Sequence, residues 1–167
     1  YSVQPKQWGE FLCGLFDEWV RKDVGEYFVQ TFEATLANWC GVAPGVCSLA
    51  RYCGHAGALE HNGDLYSCDH FVYPEYKLGN IKEQSIMEMM YSDRQMKFGR
   101  EKFDTLPGQC KRCKWLFTCN GECPKNRLLK TVDGEPGLNY LCEGYRMYFE
   151  HVAPFMDHMR RDILSQG

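Results

Sequence analysis

The sequence lacks a long apolar run and a strong excess of charge of either sign. No stretch approaches the roughly 20 consecutive apolar residues that a membrane-spanning helix requires. Because 19 Lys and Arg residues are balanced by 22 Asp and Glu residues, the formal net charge is only -3. A chain with this balance has no electrostatic field that would attract nucleic acid or an anionic membrane. We therefore expect no nucleic acid and no membrane among its partners.

The first residues lack the features of a secretory leader, and there is no initiator Met. The opening segment, YSVQPKQWGEF, has no basic stretch followed by an apolar run. We therefore interpret the sequence as a piece of a longer protein, and we expect that protein to be cytoplasmic.

Cysteine, in contrast, is abundant, with 10 in 167 residues. An even number permits the disulfide framework of a secreted protein, but closely spaced CxxC and CxxxC pairs are more typical of metal ligation or redox chemistry. The run CKRCKWLFTCNGEC alone contains four thiols. Cys13 and Cys40 belong to a cysteine-poor first segment. The remaining eight are Cys47, Cys53, Cys68, Cys110, Cys113, Cys119, Cys123 and Cys142.

Eight cysteines make two complete sets of four thiolate ligands. That number suits two zinc sites with four cysteine ligands each, or two iron–sulfur clusters in which every iron has a protein ligand. Structural zinc usually uses two short CxxC-type knuckles, whereas this sequence has a single CxxC, from Cys110 to Cys113. The spacing alone leaves zinc and iron–sulfur both open.

Hydrophobic periodicity and turn residues predict a mixture of helices and strands. Residues 5–23 show the apolar stripe of an amphipathic helix, and residues 27–32 and 32–39 predict a short strand and a short helix. Residues 58–68 predict a β-hairpin around Asn62-Gly63, a pair that favours a type I′ turn.

Capping residues and periodicity predict further helices in the second half of the chain. The predicted helices begin at Ser85, at Ser92 (to about Phe103), at Pro124, and at Cys142 (to about Leu164). Pro154 lies inside the last of these, where we expect it to kink or break the helix.

The order of the cysteines resembles a known domain. The pattern is Cys53, then Gly63-x4-Cys68, then C-x2-C-x5-C-x3-C from Cys110 to Cys123, and finally Cys142. It resembles the SPASM domain, the C-terminal extension of many radical S-adenosylmethionine enzymes. The stretches CSLARYCG, YSCDHFVYPEYKLGNI and CKWLFTCNGECPKNR resemble the anaerobic sulfatase-maturating enzymes in particular.

The resemblance implies an α+β fold in two parts. Residues 46–167 would form the small cysteine-rich SPASM domain, with a β-hairpin and several helices around two metal clusters and a C-terminal helix. Residues 1–45 would be the last elements of the preceding radical SAM partial barrel and a linker.

The resemblance also implies the cofactors and the residues that hold them. In that family the domain carries two auxiliary [4Fe–4S] clusters. Carried onto this sequence, one cluster would be bound by Cys47, Cys53, Cys68 and Cys123. The other would be bound by Cys110, Cys113, Cys119 and Cys142. By the resemblance, Asp69 would be the base that removes the substrate's thiol or hydroxyl proton. Its position alone favours instead an acid that caps a turn or accepts backbone N–H bonds.

The family's reaction oxidises a Cys or Ser of a target sulfatase to Cα-formylglycine. The sequence has no CxxxCxxC motif, which in the family holds a third [4Fe–4S] cluster and S-adenosylmethionine. We therefore expect this chain to be inactive alone, and to serve electron transfer and substrate positioning in a longer parent. Its expected partners are a sulfatase polypeptide and the rest of the radical SAM barrel. The alternative is a non-catalytic, zinc-stabilised module that binds a protein partner.

Overall fold

The structure is a computed structural model, and it describes residues 2–165. The chain forms two compact units. The helical unit consists of the chain up to Ala50 and from Leu106 onward, and the sheet unit consists of Arg51–Thr105. These units do not follow the predicted domain boundary after residue 45, which stays a prediction about the family's domains.

Short elements alternate with two longer helices, α1 and α7. In chain order the elements are α1 (Pro5–Lys22), α2 (Gln30–Trp39), β1 (Ala58–Leu59), β2 (Asp64–Tyr66), β3 (Lys77–Asn80), α3 (Ile86–Met90), α4 (Asp93–Asp104), α5 (Gly108–Lys111), α6 (Leu116–Cys119), β4 (Leu129–Lys130), β5 (Pro136–Leu138) and α7 (Cys142–Ser165). Single 3-10 turns lie at Asp69–Phe71, Pro74–Tyr76 and Pro124–Asn126. None of the described helices is long and apolar enough to cross a membrane.

Helices α1 and α7 form the centre of the helical unit. The helix predicted over residues 5–23 is confirmed as α1. Pro5 suits its first position, because the N–H that proline lacks would have no partner within the helix there. The two helices approach closely at Gly144, where an added Cβ would overlap the carbonyl oxygen of Pro5. The core of the unit includes Leu12, Phe16, Trp19, Phe32, Tyr148, Phe149, Val152 and Met156.

The long C-terminal helix is confirmed, but it continues through Pro154 rather than breaking there. A proline inside a helix removes one backbone hydrogen bond and crowds the preceding turn. Val152 and Met156 lie on either side of Pro154, and both are 0% exposed. Their burial in the core offsets the loss at the proline and keeps the helix continuous.

The strand predicted over residues 27–32 is wrong, because α2 begins at Gln30. Phe32 lies in the first turn of α2 and is 0% exposed. Its ring packs against Phe16 and Tyr148 at centroid distances of 5.2 and 5.9 Å. Packing of this ring in a helical core outweighs the strand preference of the aromatic segment.

The sheet unit contains an antiparallel sheet in the order β1-β2-β3. The hairpin of β1 and β2 is confirmed, whereas β3 has no counterpart in the sequence prediction. The predicted type I′ turn is wrong, since it requires a positive φ at both central residues and only Gly63 has one, at 94°. Asn62 instead stabilises the turn with its side-chain oxygen, which accepts the N–H of Asp64 at 2.9 Å.

The helix starts after the hairpin are confirmed by their caps. The Ser85 hydroxyl accepts the Glu88 N–H at 3.1 Å, and the Glu88 carboxylate accepts the Ser85 N–H at 3.0 Å. Helix α4 follows Ser92 and ends at Asp104. The helix predicted from Pro124 is a single 3-10 turn, because the chain continues into strand β4.

Candidate metal centre

Four of the predicted ligands meet in the helical unit. Cys110 lies in α5, Cys113 lies between α5 and α6, Cys119 is the last residue of α6, and Cys142 is the first residue of α7. All four line one cavity of about 380 Å³. The short helices α5 and α6 therefore bring three thiols to the position where α7 begins.

Burial raises the pKa of three of these thiols. Burial, with smaller contributions from the neighbouring cysteines, raises the pKa of Cys119 to about 12 and that of Cys142 to about 11. The pKa of Cys110 is also raised, chiefly by burial. Cys110, Cys119 and Cys142 are therefore predominantly neutral thiols at pH 7, and a metal that binds them must displace their protons.

Two features of the cavity favour the thiolate form that a metal requires. The backbone N–H of Gly121 donates to the sulfur of Cys119, which partly opposes the rise in its pKa. Arg146, one helical turn after Cys142, lines the cavity, and its positive charge acts to lower the pKa of Cys142. Both would offset the negative charge of a thiolate-bound centre.

The residues of the cavity fit a metal centre. A donor set of four cysteine sulfurs suits a [4Fe–4S] cluster, and it equally suits tetrahedral zinc. The remaining wall is largely apolar and includes Trp115, Leu116 and Phe149. An apolar shell limits the access of water to such a centre.

The other predicted ligands are divided between the units. Cys47 and Cys123 belong to the helical unit, where Cys123 is buried and Cys47 is exposed. Cys53 and Cys68 belong to the sheet unit. Burial raises the pKa of Cys68 to about 11, and the charge of the nearby Cys53 contributes in the same direction. The assignment of these four to one cluster stays a prediction.

Asp69 lies in the 3-10 turn that follows Cys68, with its side chain 75% exposed. Its carboxylate accepts a hydrogen bond from the Cys68 thiol at 3.2 Å, and the Nε2 atom of His70 lies 3.9 Å away. The hydrogen bond from Cys68, with smaller contributions from His70, lowers the pKa of Asp69. Asp69 is therefore deprotonated at neutral pH, which is the state that a proton acceptor needs.

A buried amide that was not predicted from the sequence joins two cysteine segments of the sheet unit. Gln95 is 2% exposed, and its Nε2 atom donates to the carbonyl oxygens of Gly54 at 3.2 Å and Ser67 at 3.1 Å. Gly54 directly follows Cys53, and Ser67 directly precedes Cys68. In the sequence, Gln95 is explained by the cap of α4, because its N–H donates to the Ser92 hydroxyl. The second role of its side chain was therefore not predicted.

Comparison with known proteins supports the same kind of site. Residues 52–114 match the SPASM family, an iron–sulfur cluster-binding domain. The chain is 63% identical over 166 residues to a serine-type anaerobic sulfatase-maturating enzyme of Bacteroides thetaiotaomicron, covering 99% of this chain and 40% of that protein. It is 28% identical over 165 residues to a cysteine-type anaerobic sulfatase-maturating enzyme of Clostridium perfringens, covering 98% of this chain and 44% of that protein.

Solved structures share the fold. A structure of histidine-tagged anSMEcpe with bound AdoMet has a TM-score of 0.80 and 28% identity, covering 97% of this chain and 42% of that chain. Native anSMEcpe with bound AdoMet and the Kp18Cys peptide has a TM-score of 0.79 and 27% identity, covering 97% of this chain and 45% of that chain.

The fold and the family match define a protein with an iron–sulfur cluster-binding SPASM domain. Over nearly its whole length the chain is similar to anaerobic sulfatase-maturating enzymes, as the sequence resemblance predicted. It spans about two fifths of the length of the curated relatives that it matches, 40% for the Bacteroides thetaiotaomicron protein.

Proposed function

We propose that this chain is the auxiliary-cluster part of a radical S-adenosylmethionine enzyme that oxidises a residue of a sulfatase polypeptide to Cα-formylglycine. It would hold two [4Fe–4S] clusters and serve electron transfer and substrate positioning. One observation carries the proposal: Cys110, Cys113, Cys119 and Cys142 line a single cavity in a chain whose relatives are sulfatase-maturating enzymes. The S-adenosylmethionine and a third [4Fe–4S] cluster would be held by the rest of the radical SAM barrel.

The residues of the helical unit have defined parts in this proposal. When bound, a [4Fe–4S] cluster supplies a one-electron carrier whose potential depends on charge, hydrogen bonds to sulfur and solvent exposure. The four cysteines of the cavity would ligate it, and the rings of Trp115 and Phe149 would exclude water. The Gly121 N–H and Arg146 would lower the energy of the more negative, reduced state.

The substrate residue is serine in this proposal. Identity to the serine-type relative of Bacteroides thetaiotaomicron is 63%, against 28% for the cysteine-type relative of Clostridium perfringens. Serine-type relatives from Klebsiella are only 29% identical, so the support comes from the Bacteroides protein. Asp69 would accept the hydroxyl proton, since its carboxylate is exposed and directly follows the predicted ligand Cys68.

Eight of the ten cysteines are predicted cluster ligands, and they must stay reduced to bind iron. Reduced thiols persist in the reducing environment of the cytoplasm, whereas oxidising compartments favour disulfides. We therefore propose a cytoplasmic location for the protein.

Metal analysis of the anaerobically prepared chain tests this function. Two [4Fe–4S] clusters correspond to about eight iron atoms per chain and a broad visible absorption that dithionite bleaches. A sample reconstituted with iron and sulfide that binds no iron would overturn the proposal. Zinc bound with four thiols in its place would favour the zinc-stabilised interaction module.

The role of Asp69 is tested in the complete enzyme. Asp69→Asn should greatly reduce the yield of formylglycine in a sulfatase peptide, while iron content stays at the wild-type value. An unchanged yield would show that another group accepts the proton.

A further inference from the structure

Three consecutive residues between Cys119 and Cys123 have a left-handed backbone. The φ angles are 48° at Asn120, 71° at Gly121 and 52° at Glu122. Residues other than glycine rarely adopt this conformation, because Cβ then crowds the backbone. We call residues 120–122 the left-handed segment, and the contacts of its side chains explain why the conformation is kept.

Asn120 connects this segment to the neighbourhood of Cys47. It is 6% exposed, and its Nδ2 atom donates to the carbonyl oxygen of Leu49 at 2.8 Å. The same oxygen accepts from Asn38 Nδ2 at 3.0 Å, and that amide also donates to the carbonyl of Thr118 at 3.0 Å. The buried amide of Asn120 and the half-buried amide of Asn38 thus fix the backbone two residues after Cys47 to the end of α6.

Gly121 makes the turn possible. A Cβ at this position would overlap the side chain of Leu106, so a larger residue would force Leu106 to move in addition to straining the backbone. Its N–H donates to the sulfur of Cys119, and its carbonyl accepts from Arg127 Nε at 3.1 Å. Both polar groups of this peptide backbone are therefore engaged next to a predicted ligand.

Glu122 connects the segment to Cys142. It is 6% exposed, and its Oε2 atom accepts from Asn139 Nδ2 at 2.7 Å and from Asn126 Nδ2 at 2.9 Å. The Asn139 side-chain oxygen accepts the Leu141 N–H at 2.7 Å, and its carbonyl accepts the Cys142 N–H at 3.1 Å. Asn139 thereby fixes the first residues of α7 to the left-handed segment.

We propose that the left-handed segment positions ligands of both clusters, with Asn120 holding the segment of Cys47 and Glu122, through Asn139, holding Cys142. The proposal rests on the proposed function, because it requires the two predicted ligand sets. Asn120 and Glu122 are positioning residues, since their side chains contact the segments that carry the cysteines and not the predicted centres themselves. The left-handed segment directs the side chains of Asn120 and Glu122 to different partners, the Leu49 carbonyl and the Asn139 amide.

Variants of the two side chains separate the two roles. Asn120→Asp keeps the size of the side chain and tolerates a positive φ, but its carboxylate cannot donate to the Leu49 carbonyl. Glu122→Ala removes the acceptor of Asn139, whereas Glu122→Gln keeps an oxygen in the same place. The references are Cys47→Ala and Cys142→Ala, and the exposed substitutions Gln30→Glu and Glu18→Gln control for a change of charge.

The measurement is the EPR spectrum of the dithionite-reduced, reconstituted chain, together with its iron content. We expect Asn120→Asp to reproduce the spectrum of Cys47→Ala, and Glu122→Ala to reproduce that of Cys142→Ala. In each, iron should fall to about half of the wild-type value, since each cluster holds four of about eight iron atoms. Glu122→Gln should retain the wild-type spectrum.

Two kinds of failure are distinguishable. A wild-type chain that binds no iron would overturn the proposed function and this inference with it. A wild-type chain with two clusters, combined with an Asn120→Asp variant that keeps both or loses both, would overturn the inference alone. Asn120→Gly, which accepts a positive φ without strain, must give the same result as Asn120→Asp, and an intact spectrum for Asn120→Gly would also contradict it.

Discussion

The helical unit and the sheet unit differ in how much stability an apolar core can supply. Among the described residues, the helical unit buries a core of 12 hydrophobic residues, whereas the core of the sheet unit consists of Leu65, Met89 and Met90. Small units usually need a metal or disulfides in addition to their core. From this difference we predict that the helical unit folds mainly by packing, and that the sheet unit needs the metal that we propose Cys53 and Cys68 bind.

Removal of metal should give the largest effect and should separate the two units. After anaerobic chelation of iron, we expect Arg51–Thr105 to lose its protection against amide hydrogen exchange, because its apolar core is small. Protection in α1 and α7 should persist. Hydrogen exchange followed by mass spectrometry measures the protection of both units in one sample. Unchanged protection of the sheet unit would show that it does not depend on metal.

Truncation of the helical core should have the next largest effect. Phe16 is 0% exposed and packs against Phe32 and Tyr148. We expect Phe16→Ala to lower the free energy of unfolding of the helical unit by about 3–5 kcal/mol. Urea unfolding followed by circular dichroism measures this change. Phe11, which is 56% exposed, is the matched control, and Phe11→Ala should change the value by only about 0.5 kcal/mol.

Alanine substitutions at one glycine in α1 and one in α7 should change stability by smaller amounts and in opposite directions. Gly144→Ala should destabilise by about 1–3 kcal/mol, because the new Cβ overlaps the Pro5 carbonyl. Gly14 lies within α1 and has nothing within 4 Å of an added Cβ. Gly14→Ala should therefore stabilise by about 0.5–1 kcal/mol. Thermal unfolding of both variants tests the pair, and equal effects would show that the helices are not closely packed there.

The smallest predicted effect is a dependence of the sheet unit on pH. Asp64 is 9% exposed and accepts from Lys77 Nζ at 2.6 Å and Asn80 Nδ2 at 2.8 Å. The hydrogen bond from Lys77, followed by that from Asn80, lowers the pKa of Asp64. Because the pKa of Asp64 is lower in the folded state, the ionised carboxylate stabilises the fold at pH values above about 4, which is the pKa of Asp in the unfolded chain. This contribution is lost as the pH falls through the lowered pKa of the folded state.

The variant Asp64→Asn isolates this contribution. The difference in free energy of unfolding between wild type and variant should shrink as the pH falls below about 4, because the wild-type carboxylate is then protonated. Urea unfolding at several pH values measures this difference. A difference that is constant with pH would exclude Asp64 as the titrating group.

Local patterns predicted most of the helices. The apolar stripe of residues 5–23 and the reciprocal cap of Ser85 and Glu88 depend on neighbours in the chain, and both predictions are confirmed. The strand predicted at residues 27–32 is wrong, and of the kink or break predicted at Pro154 the break does not occur. Both outcomes have the same physical reason. Burial of Phe32 and of Met156 depends on the distant partners Phe16 and α1, which no local pattern reveals.

The site was predictable in its residue types but not in its supporting contacts. The count and order of the cysteines, together with the family resemblance, predicted eight metal ligands, and the structure brings four of them to one cavity. Asn120, Glu122 and Gln95 escaped notice because their hydrogen-bond partners lie far away in the chain. A polar residue at a buried position is the signal that could have identified them, and burial itself required the structure.

The central claim is that the run from Cys110 to Cys123 serves two clusters, with Cys119 in one and Cys123 in the other. EPR spectra of the reduced, reconstituted variants Cys119→Ala and Cys123→Ala test it most directly. We predict that each variant keeps one cluster, that Cys119→Ala matches Cys142→Ala, and that Cys123→Ala matches Cys68→Ala. If Cys119→Ala and Cys123→Ala lose the same cluster, the run is one site and the account is contradicted.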